Sequence, residues 1–177
     1  MKVFVFFFLS MLFLVSCGDE KAKLLKEIKD AENTLFEKSQ QLKPGEVLPP
    51  ELDQNLLNAL TAFYHKFPED PKAPECLDKL HMKYSGAGDF EKAAQYGDTL
   101  LTNYKDYVNR PMILESLANI YDMNVSPRDT TKVRMYNEML LNENPDLDPE
   151  KVEDIKFRLD NLNLSIIELI QKRISEQ

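Results

Sequence analysis

Few residues of this sequence have the type and spacing that bond-making chemistry needs. His65 and His81 stand sixteen residues apart on different expected helices, and neither has a nucleophile near it in the chain. No Gly-x-Ser-x-Gly, Walker loop, His-Glu-x-x-His or Cys-x-x-Cys occurs, so no activated serine, phosphate cradle or metal site is expected. The acidic run Asp146, Asp148, Glu150, Glu153 and Asp154 lacks the ligand spacing and central glycine of an EF-hand loop and reads as a solvated helix start. His65, near a helix end where the macrodipole favours a cation, reads as a surface residue. His81 reads as packing between helices. Cys76, beside Leu77 and Leu80, reads as a small packed hydrophobe. No catalysis and no cofactor are expected.

The elements that position these residues follow from composition. A chain of 177 residues, 43% hydrophobic and 29% charged, is long enough for one compact domain and short for two of ordinary size. Five glycines, none after Gly97, and no tryptophan leave little material for hairpin turns, while Leu, Glu, Lys and Asp abound. The expected class is all-α. A formal net charge of −8 argues against a nucleic-acid partner.

The first residues differ from the rest. Lys2 precedes Val3 to Val15, in which only Ser10 is polar, and Asp19-Glu20-Lys21 ends the apolar run before it reaches the roughly 20 residues a membrane span needs. Leu14-Val15-Ser16-Cys17 then resembles the lipobox of bacterial lipoproteins: an aliphatic residue, a tolerant position, a small residue and cysteine. The resemblance covers residues 1–18. It implies that residues 1–16 are a cleaved signal peptide and that Cys17 is diacylated and usually acylated again on its new amine. Two or three acyl chains hold a protein stably on a bilayer, whereas one holds it marginally. The body is acidic, so the lipid rather than a basic face would do the anchoring. The resemblance implies a lipid-anchored envelope protein with the outer membrane as its destination, although Gly18-Asp19-Glu20 does not separate that from inner-membrane retention or surface display.

Past Cys17 the apolar spacing predicts helices over 19–41, 50–66, 71–84, from Asp89 onward, 110–123, 127–143 and 149–174. Asp89, Ser126 and Asp148 are the N-cap candidates, with Pro127 at a first helical position. Sliding the chain by 37 residues superposes Leu77 on Leu114, Leu80 on Leu117, Tyr84 on Tyr121 and Phe63 on Leu100, and a slide of 40 takes Ala93 to Val133 and Leu100 to Leu140. The repeated unit is a helical hairpin.

Within it, Leu77, Leu80, His81, Tyr84, Gly88-Asp89-Phe90, Ala93, Gly97 and Leu100 resemble the tetratricopeptide repeat. His81 departs from the pattern, standing where a small residue is usual, and the second copy replaces the Gly-Asp-aromatic turn by Val125-Ser126-Pro127. The organisation expected is a lipidated cysteine, helix and linker over 17–48, antiparallel tetratricopeptide-like hairpins over 49–145 and an amphipathic capping helix over 146–177. The resemblance implies a concave groove presenting Asp78, Met82 and Ser85 from one repeat and Glu115, Asn119, Asp122 and Met123 from the next. Members that clamp a carboxylate use basic residues there. Here Asp78 and Glu115 hold those places, so basic or amphipathic segments of envelope proteins are the expected partners. The function expected is a non-catalytic, protein-binding scaffold. The alternative is a self-associating spacer, because Val152, Ile155, Leu159, Leu162, Ile166 and Leu169 form a heptad seam that Phe157, Leu164, Ile167 and Ile170 broaden beyond one face.

Overall fold

The computed structural model describes the backbone of residues 3–175 and the side chains of residues 18–175. The lipidation expected at Cys17 therefore lies outside the described side chains. All regular structure among the described residues is helical: α1 (Val3–Gln40), α2 (Pro50–Lys66), α3 (Ala73–Gly86), α4 (Phe90–Asn103), α5 (Arg110–Asn119), a π-helical turn (Ile120–Asn124), α6 (Thr130–Glu143), α7 (Pro149–Asp160) and α8 (Ile166–Ser175). No helix among them is long and apolar enough to cross a membrane. The chain divides into two compact units, residues 1–80 and 81–177, with the division inside α3.

In the first unit α1 packs along α2. Leu24, Ile28 and Leu35 of α1 and Leu56, Leu60 and Phe63 of α2 recur at helical spacing and are buried, as are Ala73, Cys76 and Leu77 of α3. Each large one contributes roughly 1.5 to 3 kcal/mol by leaving water. Three ion pairs join the elements of this unit: Lys66 of α2 to Glu20 of α1, Lys79 of α3 to Glu32 of α1, and Lys21 of α1 to Asp70 in the connection before α3. The hydrogen bond from Lys21, partly opposed by desolvation, holds the Asp70 carboxyl below its usual range.

The second unit begins with the tight connection from α3 to α4. Gly88 takes φ +78°, a conformation side chains rarely adopt, and the Asp89 carboxylate caps α4 by accepting from the Lys92 N–H at 3.2 Å. Ala93, Ala94 and Gly97 give α4 a small-residue face. His81 fits there because Gly97 has no side chain: a Cβ at Gly97 would stand 2.9 Å from His81 Nδ1 and 3.0 Å from a Leu117 methyl. The ring is pinned, Nδ1 to the Ala93 carbonyl at 2.8 Å and Nε2 to Ser116 Oγ at 2.8 Å. A carbonyl only accepts, so Nδ1 carries a proton and donates it to Ala93, while the Ser116 hydroxyl, able to donate or accept, meets Nε2. His81 thus has a partner in the glycine sixteen positions on.

Three expectations are corrected. The helix expected over 110–123 leaves α-geometry at Ile120, where the chain widens into the π-turn and the Val125 N–H reaches back to the Ile120 carbonyl at 3.1 Å. Neither Ser126 nor Pro127 starts α6. Asp129 does, because its carboxylate reaches the Lys132 N–H at 3.0 Å. The single terminal helix over 149–174 is two. Asn161 ends α7 by donating its side-chain amide to the Phe157 carbonyl at 2.8 Å, and Ser165 with Glu168 opens α8 as a reciprocal capping box. The cap expected at Asp148 is present, accepting from the Glu150 N–H at 2.9 Å.

Candidate functional site

Two polar clusters, one half-buried and one buried, join the elements of the second unit. In the first, Asp98 of α4 accepts from Tyr121 (2.8 Å), Lys132 (2.6 Å) and Tyr136 (2.5 Å), joining α4 to the π-turn and α6. Burial, then the hydrogen bond to Asp98, pushes the Tyr136 phenol well above its ordinary value. Burial works to lower the Lys132 pKa, but the bonds to Asp98 and Tyr121 outweigh it and raise it. In the second cluster Arg158 of α7 grips Asp122 with two parallel bonds of 2.6 Å, and Arg128 Nε adds a third of 2.6 Å. The same guanidiniums donate to the Leu164 carbonyl, at 3.0 Å from Arg128 and 3.3 Å from Arg158, and so tie the α7–α8 turn to the π-turn. Two cations drawn out of water need the carboxylate and the carbonyls together, and one nitrogen of the knot, Arg128 Nη2, is buried without a hydrogen bond.

Beside this knot lies an open cleft of about 490 Å³ between α5, the π-turn, α6, α7 and the start of α8. Its floor is Ala118, Leu140 and Ile155, all buried, with Ile166 half-buried beside them. Its walls carry Glu115, Asp122, Asp148, Glu150 and Asp154 against Lys151 and Arg158, an acidic balance. Glu115 and Lys151 pair across the mouth at 2.6 Å, and both are about 40% exposed (42% and 39%), so a partner can displace that pair at little cost. Met123 projects from the π-turn into solvent. Both neighbours belong to the π-turn, Asp122 bonded to the arginines and Met123 exposed at the rim.

Four of the seven expected groove residues, Glu115, Asn119, Asp122 and Met123, line this cleft together. Their roles differ from the expectation. Asp122 is no free groove charge, since its side chain is only 7% exposed and fully engaged. Asp78, in the first unit, is 5% exposed and is likewise not available as a surface charge. Met82 is exposed and Ser85 half-buried on α3, and neither lines the cleft. The residues that sequence reasoning missed are Arg128, Lys151, Arg158 and Ile166. Arg158 had a signal: it falls three after Ile155 and four before Leu162, on the stripe that must be buried. Ser165-Ile166-Ile167-Glu168 is a capping box that signals the helix restart.

Nothing in the cleft is a nucleophile with a base. Among the described residues His65 is exposed on α2, His81 is engaged on both ring nitrogens, and no group of three His, Cys, Asp or Glu is placed to hold a metal. Cys76 is buried, which pushes its thiol up to about 12 and keeps it a neutral, unreactive group at ordinary pH. What the site offers is shape, negative charge and soft apolar surface. No family model, no curated protein and no solved structure matches the chain.

Proposed function

We propose that this chain is a bacterial envelope lipoprotein, anchored through Cys17, whose tetratricopeptide-like helical region binds other envelope proteins and carries out no reaction itself. The observation that carries the binding role is the cleft: five carboxylates around an apolar floor, with Met123 exposed at its edge. Such a surface suits a basic amphipathic segment, which brings cations for Glu115 and Glu150 and an apolar side chain for Ile155 and Met123. The anchor rests on Leu14-Val15-Ser16-Cys17 and on the lack, among the described residues, of any helix able to span a bilayer.

Two experiments test the reading. Cys17→Ala should leave the chain unprocessed or release it from membranes, and normal cleavage with unchanged membrane retention removes the anchor. For the cleft, Glu115→Lys with Glu150→Lys should abolish capture of basic envelope proteins, while Glu51→Lys with Glu69→Lys, exposed and in the other unit, changes net charge equally. Capture lost in both pairs means bulk charge alone is read, and capture kept in the first pair removes the cleft from the function.

A further inference from the structure

The start of α1 is tied into the fold close to Cys17. Glu20 pairs with Lys66 at the end of α2, Lys21 pairs with Asp70 in the connection that follows, and Leu24 is buried one turn further on. No loop separates these residues from the cysteine, because the backbone of α1 is helical from Val3 through Gln40. With residues 1–16 removed, only Gly18 and Asp19 stand between Cys17 and the first of these ion pairs. Even fully extended, the three steps from Cys17 to Glu20 reach at most about 11 Å. Asp19 and Glu20 then occupy the first turn of the shortened helix, where carboxylates suit the free amides.

The two ends of the first unit also differ in charge. The Lys66–Glu20 pair sets the end of α2 beside the start of α1, and the connection 41–49 joins their opposite ends. Residues 19–29 and 64–72 together carry six lysines against five carboxylates, whereas residues 30–53 carry two lysines against six carboxylates. Lys23 and Lys26 at the first end are exposed and pair along their own helix, with Glu27 and Asp30.

We propose that the end of the first unit formed by the start of α1 and the turn after α2 is a membrane-contact surface, held on phospholipid headgroups by its short tie to Cys17, with the connection 41–49 kept away from the bilayer. This inference rests on the acylation of Cys17. Two independent features point the same way. The first is mechanical. Acyl chains hold Cys17 at the edge of the hydrocarbon, and the headgroup layer outside it is roughly 5 to 8 Å deep, so a reach of about 11 Å leaves Glu20 and its partner Lys66 at or just above the headgroups. The second is the charge gradient. An anionic lipid surface tolerates the lysine-bearing end and repels the acidic one, so α1 stands up from the surface instead of lying along it. From Glu20 to Gln40 the helix rises about 30 Å, which carries exposed Val47 well clear of the lipid.

Quenching in vesicles tests this with the full chain purified from the membranes of producing cells. His65→Cys and Val47→Cys each place a thiol at an exposed position, and buried, unreactive Cys76 leaves that thiol to take a fluorescent maleimide. The vesicles are phosphatidylethanolamine and phosphatidylglycerol, with part of the lipid bearing a nitroxide on its headgroup. Quenching should be several-fold stronger at residue 65 than at residue 47. Inserting a flexible Gly-Ser linker of about 20 residues, with a span of about 25 Å, between Gly18 and Asp19 should erase most of that difference. Equal quenching at the two positions overturns the proposal. So does stronger quenching at residue 47, the pattern expected if exposed Phe36 and Val47 sought the lipid, or a difference that the linker leaves unchanged. The mass of the Cys17 peptide is read on the same preparation. Acyl chains present with equal quenching remove the contact surface alone, and an unacylated Cys17 removes the anchor and this inference with it.

Discussion

Residues 1–80 and residues 81–177 use charge differently. In the first unit ion pairs flank an apolar seam and most of their members, among them Lys66, Glu20 and Lys79, remain a third to a half exposed, with Asp70 and Asp78 the carboxylates drawn further in. The second draws ionised groups into its packing, with Asp122 and Arg158 at 7 and 10% exposure and Asp98 held by three donors. A rim pair adds little and fails gently. A buried cluster specifies how four segments meet, and it fails badly when one member is removed because the others remain out of water without a partner. The candidate cleft lies beside the buried cluster, so the same arginines that fix the α7–α8 turn also set its shape.

The sharpest way to break this contrast is Asp122→Ala, which leaves two guanidiniums facing no carboxylate and should cost about 3 to 5 kcal/mol in denaturant unfolding. A loss near the value for a surface pair would mean the knot is wet and the contrast unfounded. Leu60→Ala in the first unit removes a fully buried side chain and should cost about 2 to 5 kcal/mol, showing that apolar packing alone reaches a comparable size there. Tyr136→Phe should cost about 1.5 to 3 kcal/mol by taking a donor from the Asp98 carboxylate. It also has a pH signature. The folded phenol is raised above its ordinary value of 10.0, so its stabilisation is whole below that pH and is lost as pH rises towards the folded value. Alkaline melts of the parent should therefore fall more steeply above pH 10 than those of the phenylalanine variant. The smallest effect is expected for Lys79→Ala, under about 1 kcal/mol, because its two glutamates stay hydrated when it leaves.

Much of the helical framework was legible in the chain. Leu24, Ile28 and Leu35 announce one buried stripe, Pro50 and Pro68 bracket α2, and Gly88-Asp89 marks a turn and a cap, because each signal acts within a few residues. The terminal helix misled. Its heptad seam runs unbroken through Leu159, Leu162, Ile166 and Leu169, yet Asn161, Asn163 and Ser165 offer the backbone side-chain partners that end one helix and begin another. Periodicity counts apolar residues and ignores that competition. The same blindness hides the cleft's chemistry: the repeat pattern puts Glu115, Asn119, Asp122 and Met123 on one surface, but it gives no sign that Asp122 is engaged, because its partners lie 6 and 36 residues away.

Local rules therefore determined which segments are helical, where several of them are capped, and that Leu77, Leu80, Leu114 and Leu117 are interior, since propensity, capping and periodicity are properties of neighbouring residues. Tertiary structure alone decided which charges are surface and which are core, that Gly97 makes room for His81, and that α8 leaves Ile167, Ile170 and Ile174 outward while Ile166 lines the cleft. Those outcomes depend on what another helix brings within hydrogen-bonding distance. A carboxylate such as Asp122 is hydrated or buried according to whether an arginine from a distant helix arrives to replace its water.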